Sequence, residues 1–238
     1  KIPYLKVLRY NEMWNQDWTR KEILESGTQL VICHHMNDLR TYEKMNLILK
    51  DNSLVKYEYV AHCAEHNIFK DYQFDKKYDI MLGGCLSPDY YPLRVRFANI
   101  LKKMSGKYRT HIHQHPGYNL QDAHTNKYLI DFAKVINQSK IVLSCASKFN
   151  YRLGKYVEIP ACASLLAADV PYDEQDKYDH MIQISNSMTD DEIINILEDY
   201  LQNDEKYNNL VQKGLEFSSQ YTQTHYAERI YLLIQKHL

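Results

Sequence analysis

Seven glycines and six prolines among 238 residues leave little material for low-complexity tracts or long flexible linkers. No apolar run approaches the roughly 18 residues of a membrane span, and no signal peptide is visible. Excess charge is missing too. With 29 Lys+Arg against 30 Asp+Glu the net charge is -1, so no global field steers nucleic acid or an anionic membrane to the chain. The aromatic and basic residues form no contiguous stripe, which gives a nucleic-acid partner little support. Cysteines 33, 63, 85, 145 and 162 are odd in number, scattered and mostly set in apolar runs. They read as reduced core thiols of a cytoplasmic protein, with no disulfide framework and no CxxC zinc pattern. No G-x-x-x-x-G-K-[ST] loop or G-x-G-x-x-G fingerprint occurs, which argues against a P-loop NTPase and a standard dehydrogenase. Ser144 and Ser147, either side of Cys145, lack the G-x-S-x-G spacing of a hydrolase nucleophile.

What is present is 45% apolar residues, enough for one large core or two small ones, and 21 tyrosines. Strand and helix patterns alternate. Tyr4–Arg9, Gln29–Cys33 and Tyr57–His62 read as strands, with helices at Trp18–Glu25 and Asp38–Leu49 opened by capping Asp17 and Asp38. A second set begins with strand Tyr78–Leu82 and continues through helix Leu93–Met104, strand Tyr108–His113, helix Tyr128–Asn137 and strand Lys140–Cys145. The Arg152–Pro160 helix, strands Leu165–Ala168 and Met181–Ile184, and helices Asp190–Gln202, Glu205–Tyr221 and Tyr226–Lys236 follow. The polar stretch Phe69–Lys77 lacks periodicity and marks the join, giving domains 1–72 and 73–238. The fold class is α/β, two Rossmann-like doubly wound units, the N-terminal one short or truncated. The chain starts at Lys1 rather than Met, which fits a fragment or excised domain of a larger polypeptide.

The most informative stretch is residues 150–170, NYRLGKYVEIPACASLLAADV. Arg152 and Lys155 lie in a polar loop that enters a short helix carrying Tyr156, Val157 and Glu158, followed by a break and an apolar strand. Cations and the free N–H groups of a helix start suit phosphates, and a carboxylate suits a ribose hydroxyl. This stretch resembles the donor-binding motif of the GT-B glycosyltransferases, the group that includes glycogen synthase and many lipopolysaccharide and capsule sugar transferases. There two glutamates flank seven residues and precede an Ala/Cys/Gly turn. Glu158 matches the second glutamate and Ala161-Cys162-Ala163 the turn. Asn150 stands at the first glutamate, and Ala163 at the usual turn glycine.

The resemblance implies that Arg152 and Lys155 neutralise a nucleotide diphosphate, Glu158 takes the ribose, and Asn150 contacts the transferred sugar through hydrogen bonds without charge. It also implies a Gly-rich turn with a basic residue after the first strand of the second unit, here Gly83-Gly84 with Arg94 or Arg96, Arg94 being nearer its helix start. His111, His113 and His115 share a strand face, which raises a metal site. No Asp or Glu is close enough in sequence to complete one, and the family typically holds no catalytic metal. His115 with Tyr118 instead borders the nucleotide base. An inverting enzyme needs a base, for which His34, His35 and Asp17 are candidates, with Glu12 a rival and Trp14 and Trp18 available to stack on a sugar.

The implied activity is metal-independent transfer of a sugar from a nucleotide diphosphate sugar, UDP- or GDP-linked, to a glycan or glycoprotein hydroxyl. No cofactor is expected beyond the donor substrate. The alternatives are a nucleotide-binding module without turnover and a sugar-nucleotide epimerase of similar shape.

Overall fold

The computed structural model describes residues 4–13, 15–117, 119, 121–172 and 178–238. The chain divides into two compact units, Lys1–His62 with Gln223–Leu238, and Cys63–Thr222.

The first unit is a three-stranded parallel sheet of order β1-β2-β3: β1 Val7–Tyr10, β2 Leu30–Cys33 and β3 Lys56–Tyr59. The central strand LVIC is buried at every position, as a parallel strand covered on both faces must be. Helix α1 (Gln16–Ser26) is capped by Asn15, whose side chain accepts from the Trp18 N–H at 3.0 Å. Asp17 therefore sits inside the first turn rather than at the cap. Gly27 closes the helix in the left-handed region at φ 64°.

Helix α2 is shorter than its sequence predicts, Met36–Glu43 rather than Asp38–Leu49. Leu47 (3% exposed), Ile48 (59%) and Leu49 (7%) alternate between core and solvent, a period of two that no helix satisfies. Asp38 lies within α2, where its Oδ2 accepts from the Met13 N–H at 3.2 Å. The last helix, α8 (Gln223–His237), belongs to this unit: Tyr226, Ile230 and Leu233 pack on Leu30, Ile32 and Val60. The compact units thus part after His62, ten residues ahead of the join read from the sequence.

The second unit holds five parallel strands in the order β5-β4-β6-β7-β8. In chain order they are β4 Tyr78–Gly83, β5 Thr110–His113, β6 Ser139–Leu143, β7 Leu165–Ala168 and β8 Ile182–Gln183. The connecting helices are α3 Pro92–Met104, α4 Asp122–Asn137 and α5 Lys155–Ala161, followed by α6 Asp190–Gln202 and α7 Asp204–Ser219. One apolar core joins Ile80, Leu82, Phe97, Ile141, Leu143, Leu165, Ile193 and Leu197. Helix α6 opens with a capping box between Thr189 and Glu192.

The turn after α5 places Ala163 at φ 51°. This is the position where the resembled family carries glycine, and the left-handed backbone is the reason. Lys76 steadies that turn, donating to Ala163 O at 2.8 Å and to Asn137 O at 2.6 Å.

Candidate functional site

From β4 the chain crosses to β5 on one side, and from β6 to β7 on the other. The loops leaving β4 and β6 therefore diverge, and the crevice between them at the carboxyl ends of the strands is where open α/β sheets bind ligands. Gly83-Gly84 stands there. Gly83 pairs in register with His113, and a Cβ on it would lie 2.5 Å from Phe132 Cε2, so no side chain fits. Gly84 has φ 106°, and a Cβ there would meet Arg94 Nη1 at 2.8 Å and Lys155 Cε at 3.1 Å. Two cations from different helices thus converge on one bare stretch of backbone.

Arg94 is 2% exposed. Its Nη1 donates to Cys85 O at 2.9 Å, its guanidinium lies 4.1 Å from the Tyr91 ring centroid, and its Nε is buried with no hydrogen-bond partner among the described residues. Arg96, two residues on, is spent elsewhere, donating to Asp190 Oδ1 at 2.8 Å and to Met188 O. Lys155, the first residue of α5, is half-buried with its Nζ 5.1 Å from the Phe132 ring centroid. No carboxylate among the described residues lies within ion-pair distance of Arg94 or Lys155. Burial pushes the Lys155 pKa down, Arg94 pushes it the same way, and Glu158 opposes both. Two like charges held together, with no carboxylate at ion-pair distance among the described residues, favour an anionic ligand.

Glu158 follows on α5, half-buried, its Oε1 2.8 Å from where a Cβ on Gly154 would stand. Burial raises its pKa, with Lys155 pulling it back. On the β5 side, His113 lies 5.2 Å from Phe132 and 5.5 Å from Tyr128, ring to ring. His115 Nδ1 accepts from the Gly117 N–H at 3.0 Å, which leaves the proton of the neutral ring on Nε2. Burial lowers its pKa, and the charges of Lys155 and Arg94 lower it further.

The structure thus brings together Gly83, Gly84, Arg94, Lys155, Glu158 and His115. It directs the other candidates elsewhere. Arg152 is buried, its guanidinium 4.0 Å from the Tyr221 ring centroid and 5.3 Å from that of Phe217. Tyr156 points into the core, its hydroxyl donating to Asp169 O at 2.7 Å. Asn150 is exposed in a turn at φ 55°, beside a separate cavity. Tyr118 and Trp14 lie outside the described residues.

In the first unit, His34 is buried, with Nδ1 2.8 Å from Val60 O and Nε2 3.3 Å from the Tyr226 hydroxyl. His34 and His35 both lie against the His62 ring, at 4.7 and 5.0 Å, and His35 is fully buried. Asp17 is exposed. Among the described residues no group of three or more His, Cys, Asp and Glu side chains is arranged to hold a metal ion.

Sequence reasoning missed Tyr128 and Phe132. Their spacing of four on α4 was the available signal, since it sets both rings on one helix face. Their rings stack at 5.8 Å.

The fold is that of the GT-B proteins. A family model described as glycosyl transferase-like matches residues 94–232, more than half of the sequence. The chain belongs to that glycosyl transferase-like family. The comparison with curated proteins found no match.

Among solved structures, Anabaena HepE, determined with UDP and glucose, superposes with TM-score 0.67 at 10% identity over 97% of this chain and 71% of its own. TarM of S. aureus, determined with UDP and saccharide ligands, gives 0.65 at 13% over 97% and 50%. The pneumococcal O-GlcNAc transferase GtfA, determined with UDP and GlcNAc, gives 0.56 at 11% identity, covering 92% of this chain. The present chain spans 47% of GtfA's length. No helix among the described residues is long and apolar enough to cross a membrane.

Proposed function

We propose that the chain transfers a sugar from a nucleotide diphosphate sugar to a glycan or glycoprotein hydroxyl without a metal ion. The observation that carries this reading is the convergence of Arg94 and Lys155, neither ion-paired among the described residues, on the glycine backbone at Gly84. UDP bound to HepE, TarM and GtfA favours a UDP-linked donor over a GDP-linked one. Family membership supports the reaction class.

In this reading the diphosphate lies over Gly84, held by both cations, and Glu158 accepts hydrogen bonds from the ribose. His115 borders the base and donates from Nε2. As the bond from the sugar C1 to the β-phosphate oxygen breaks, its electron pair passes to that oxygen. Arg94 and Lys155 stabilise the charge that builds there, the work a divalent cation performs in other transferases. The acceptor hydroxyl forms the new C1–O bond and gives up its proton to a base. Of the candidates His34, His35 and Asp17, Asp17 has the exposed side chain.

A second reading, nucleotide binding without turnover, keeps the same cradle. It is favoured by Asn150, a carboxamide where the resembled family carries a glutamate. Incubation with UDP-glucose, UDP-N-acetylglucosamine, UDP-galactose and GDP-mannose in EDTA, with free nucleotide release as readout, separates the two. Release that Lys155→Ala abolishes supports transfer. Nucleotide binding without release from any donor supports the second reading, and neither binding nor release removes both.

A further inference from the structure

After α2 a hairpin carries the chain into β3. The Leu49 N–H donates to Ser53 O at 2.9 Å, the Val55 N–H to Leu47 O at 2.9 Å, and Ile48 bridges Leu54 in the antiparallel sense. Asn52 turns the tip in the left-handed region at φ 66°. Asp51 Oδ1 closes that tip, accepting from the Ser53 N–H at 3.0 Å and the Ser53 hydroxyl at 2.6 Å.

Side chains two apart share a face of such a ribbon. The inner face sends Leu47, Leu49 and Val55 into the core with Ile23, Val31 and Tyr57. The outer face carries Ile48 and Lys50 on one arm and Leu54 and Lys56 on the other, all exposed. Ile48 is 59% exposed and Leu54 43%. Core packing accounts for the inner face and gives no reason for the outer pair. A lone aliphatic in water is ordinary, but here two stand side by side across the ribbon.

The charge of the segment is one-sided. From Lys44 to Lys56 it holds three lysines against one aspartate, in a chain of net charge -1. None of the three lysines forms an ion pair among the described residues, and Asp51 is engaged with Ser53. Lys50 and Asp51 also line a cavity of about 340 Å³ with Tyr4, Lys6 and Glu25. Tyr4, 73% exposed, extends the surface with an amphipathic ring. This face stands at the amino end of β3, away from the carboxyl end where His34 and His35 follow β2.

We propose that the outer face of the hairpin docks on an anionic lipid surface. Ile48 and Leu54 enter the boundary between headgroups and acyl chains, while Lys50 and Lys56 extend past them to the lipid phosphates. An acidic polypeptide answers the lysines alone and leaves the aliphatic pair in water. A neutral apolar partner answers the pair and leaves the lysines without counter-charge. The contact is local and reversible, because the chain as a whole supplies no positive field. It makes no use of the cradle at Gly84.

Vesicle flotation of the full chain tests it, with phosphatidylcholine alone and with about one-third phosphatidylglycerol added. The chain should float with the anionic vesicles only, and detach as salt rises from about 0.05 to 0.5 M. Lys50→Gln/Lys56→Gln should weaken partitioning about 30-fold, and Ile48→Ser/Leu54→Ser about tenfold. Both pairs should keep the wild-type melting temperature, since all four side chains face water. As a second readout, Ile48→Trp should add emission that shifts to the blue with anionic vesicles and stays unshifted with neutral ones. Flotation with neither vesicle, or flotation that both double variants retain at wild-type strength, overturns the proposal. Capture by polyglutamate but not by anionic vesicles would overturn it too, and would make the face a site for an acidic polypeptide.

Discussion

Each unit carries histidines at the carboxyl end of a parallel strand, and the two units use them in opposite ways. In the first, β2 runs into His34 and His35, and their rings are consumed by the fold: His34 bonds Val60 O and the Tyr226 hydroxyl and stacks on His62. His34 ties α8 to the sheet through Tyr226. In the second, β5 runs into His113 and His115, which feel the charge of two cations that form no ion pair among the described residues. A polar residue at a strand end is therefore weak evidence of a site. Charge left unsatisfied at a strand end is stronger evidence, because burial without a partner has a cost that only a ligand offsets.

The contrast is open to mutation. Gly84→Ala should have the largest effect. It strains a left-handed backbone and drives a methyl into Arg94 and Lys155. A loss of about 2–4 kcal/mol in chemical denaturation is expected, together with loss of nucleotide binding. Lys155→Met comes next and separates binding from folding. Calorimetry should show nucleotide affinity falling about 10–100-fold. The free protein should keep its melting temperature or gain, because an unpaired, half-buried charge has gone. A large destabilisation would make Lys155 structural, as His34 is. Affinity in the wild type should also fall on the alkaline side below the ordinary lysine pKa of 10.5, because burial lowers that of Lys155.

The first unit should answer to pH without any ligand. Burial holds the His34 pKa below its ordinary 6.5, so in acid the unfolded chain takes up the proton first. Stability is then complete above pH 6.5 and falls as the pH drops through that value. His34→Phe should flatten the slope, read by denaturation between pH 7.5 and 5, while costing about 1–2 kcal/mol for its two hydrogen bonds at neutral pH. The smallest effect is a gain. Ala163→Gly relieves a left-handed alanine and should add about 0.5–1 kcal/mol.

Much of this was legible in the sequence where the determinants are local. The alternation of elements, Gly27 as a helix stop, Thr189 as a cap and strand Leu165–Ala168 follow from neighbours in the chain. Arg94 and Lys155 could be nominated separately from their places near helix starts. That they meet could not be read, since 61 residues separate them and only the sheet order brings them together. Arg152 looked equivalent to Lys155 because both are cations in one loop. Its fate was decided by Phe217 and Tyr221 on and beyond α7, far along the chain. The return of α8 to the first unit was hidden for the same reason.

The most direct measurement is a thermal-shift titration of wild type and Lys155→Met with UDP, GDP, ADP, CMP and dTDP, each with and without EDTA. A nucleotide at 100 times its dissociation constant should stabilise the wild type by about 2.7 kcal/mol. The account predicts one nucleotide diphosphate giving that shift, indifferent to EDTA and lost in Lys155→Met. No shift with any nucleotide, or one that EDTA removes, would contradict the claim that Arg94 and Lys155 at Gly84 form a metal-independent diphosphate site.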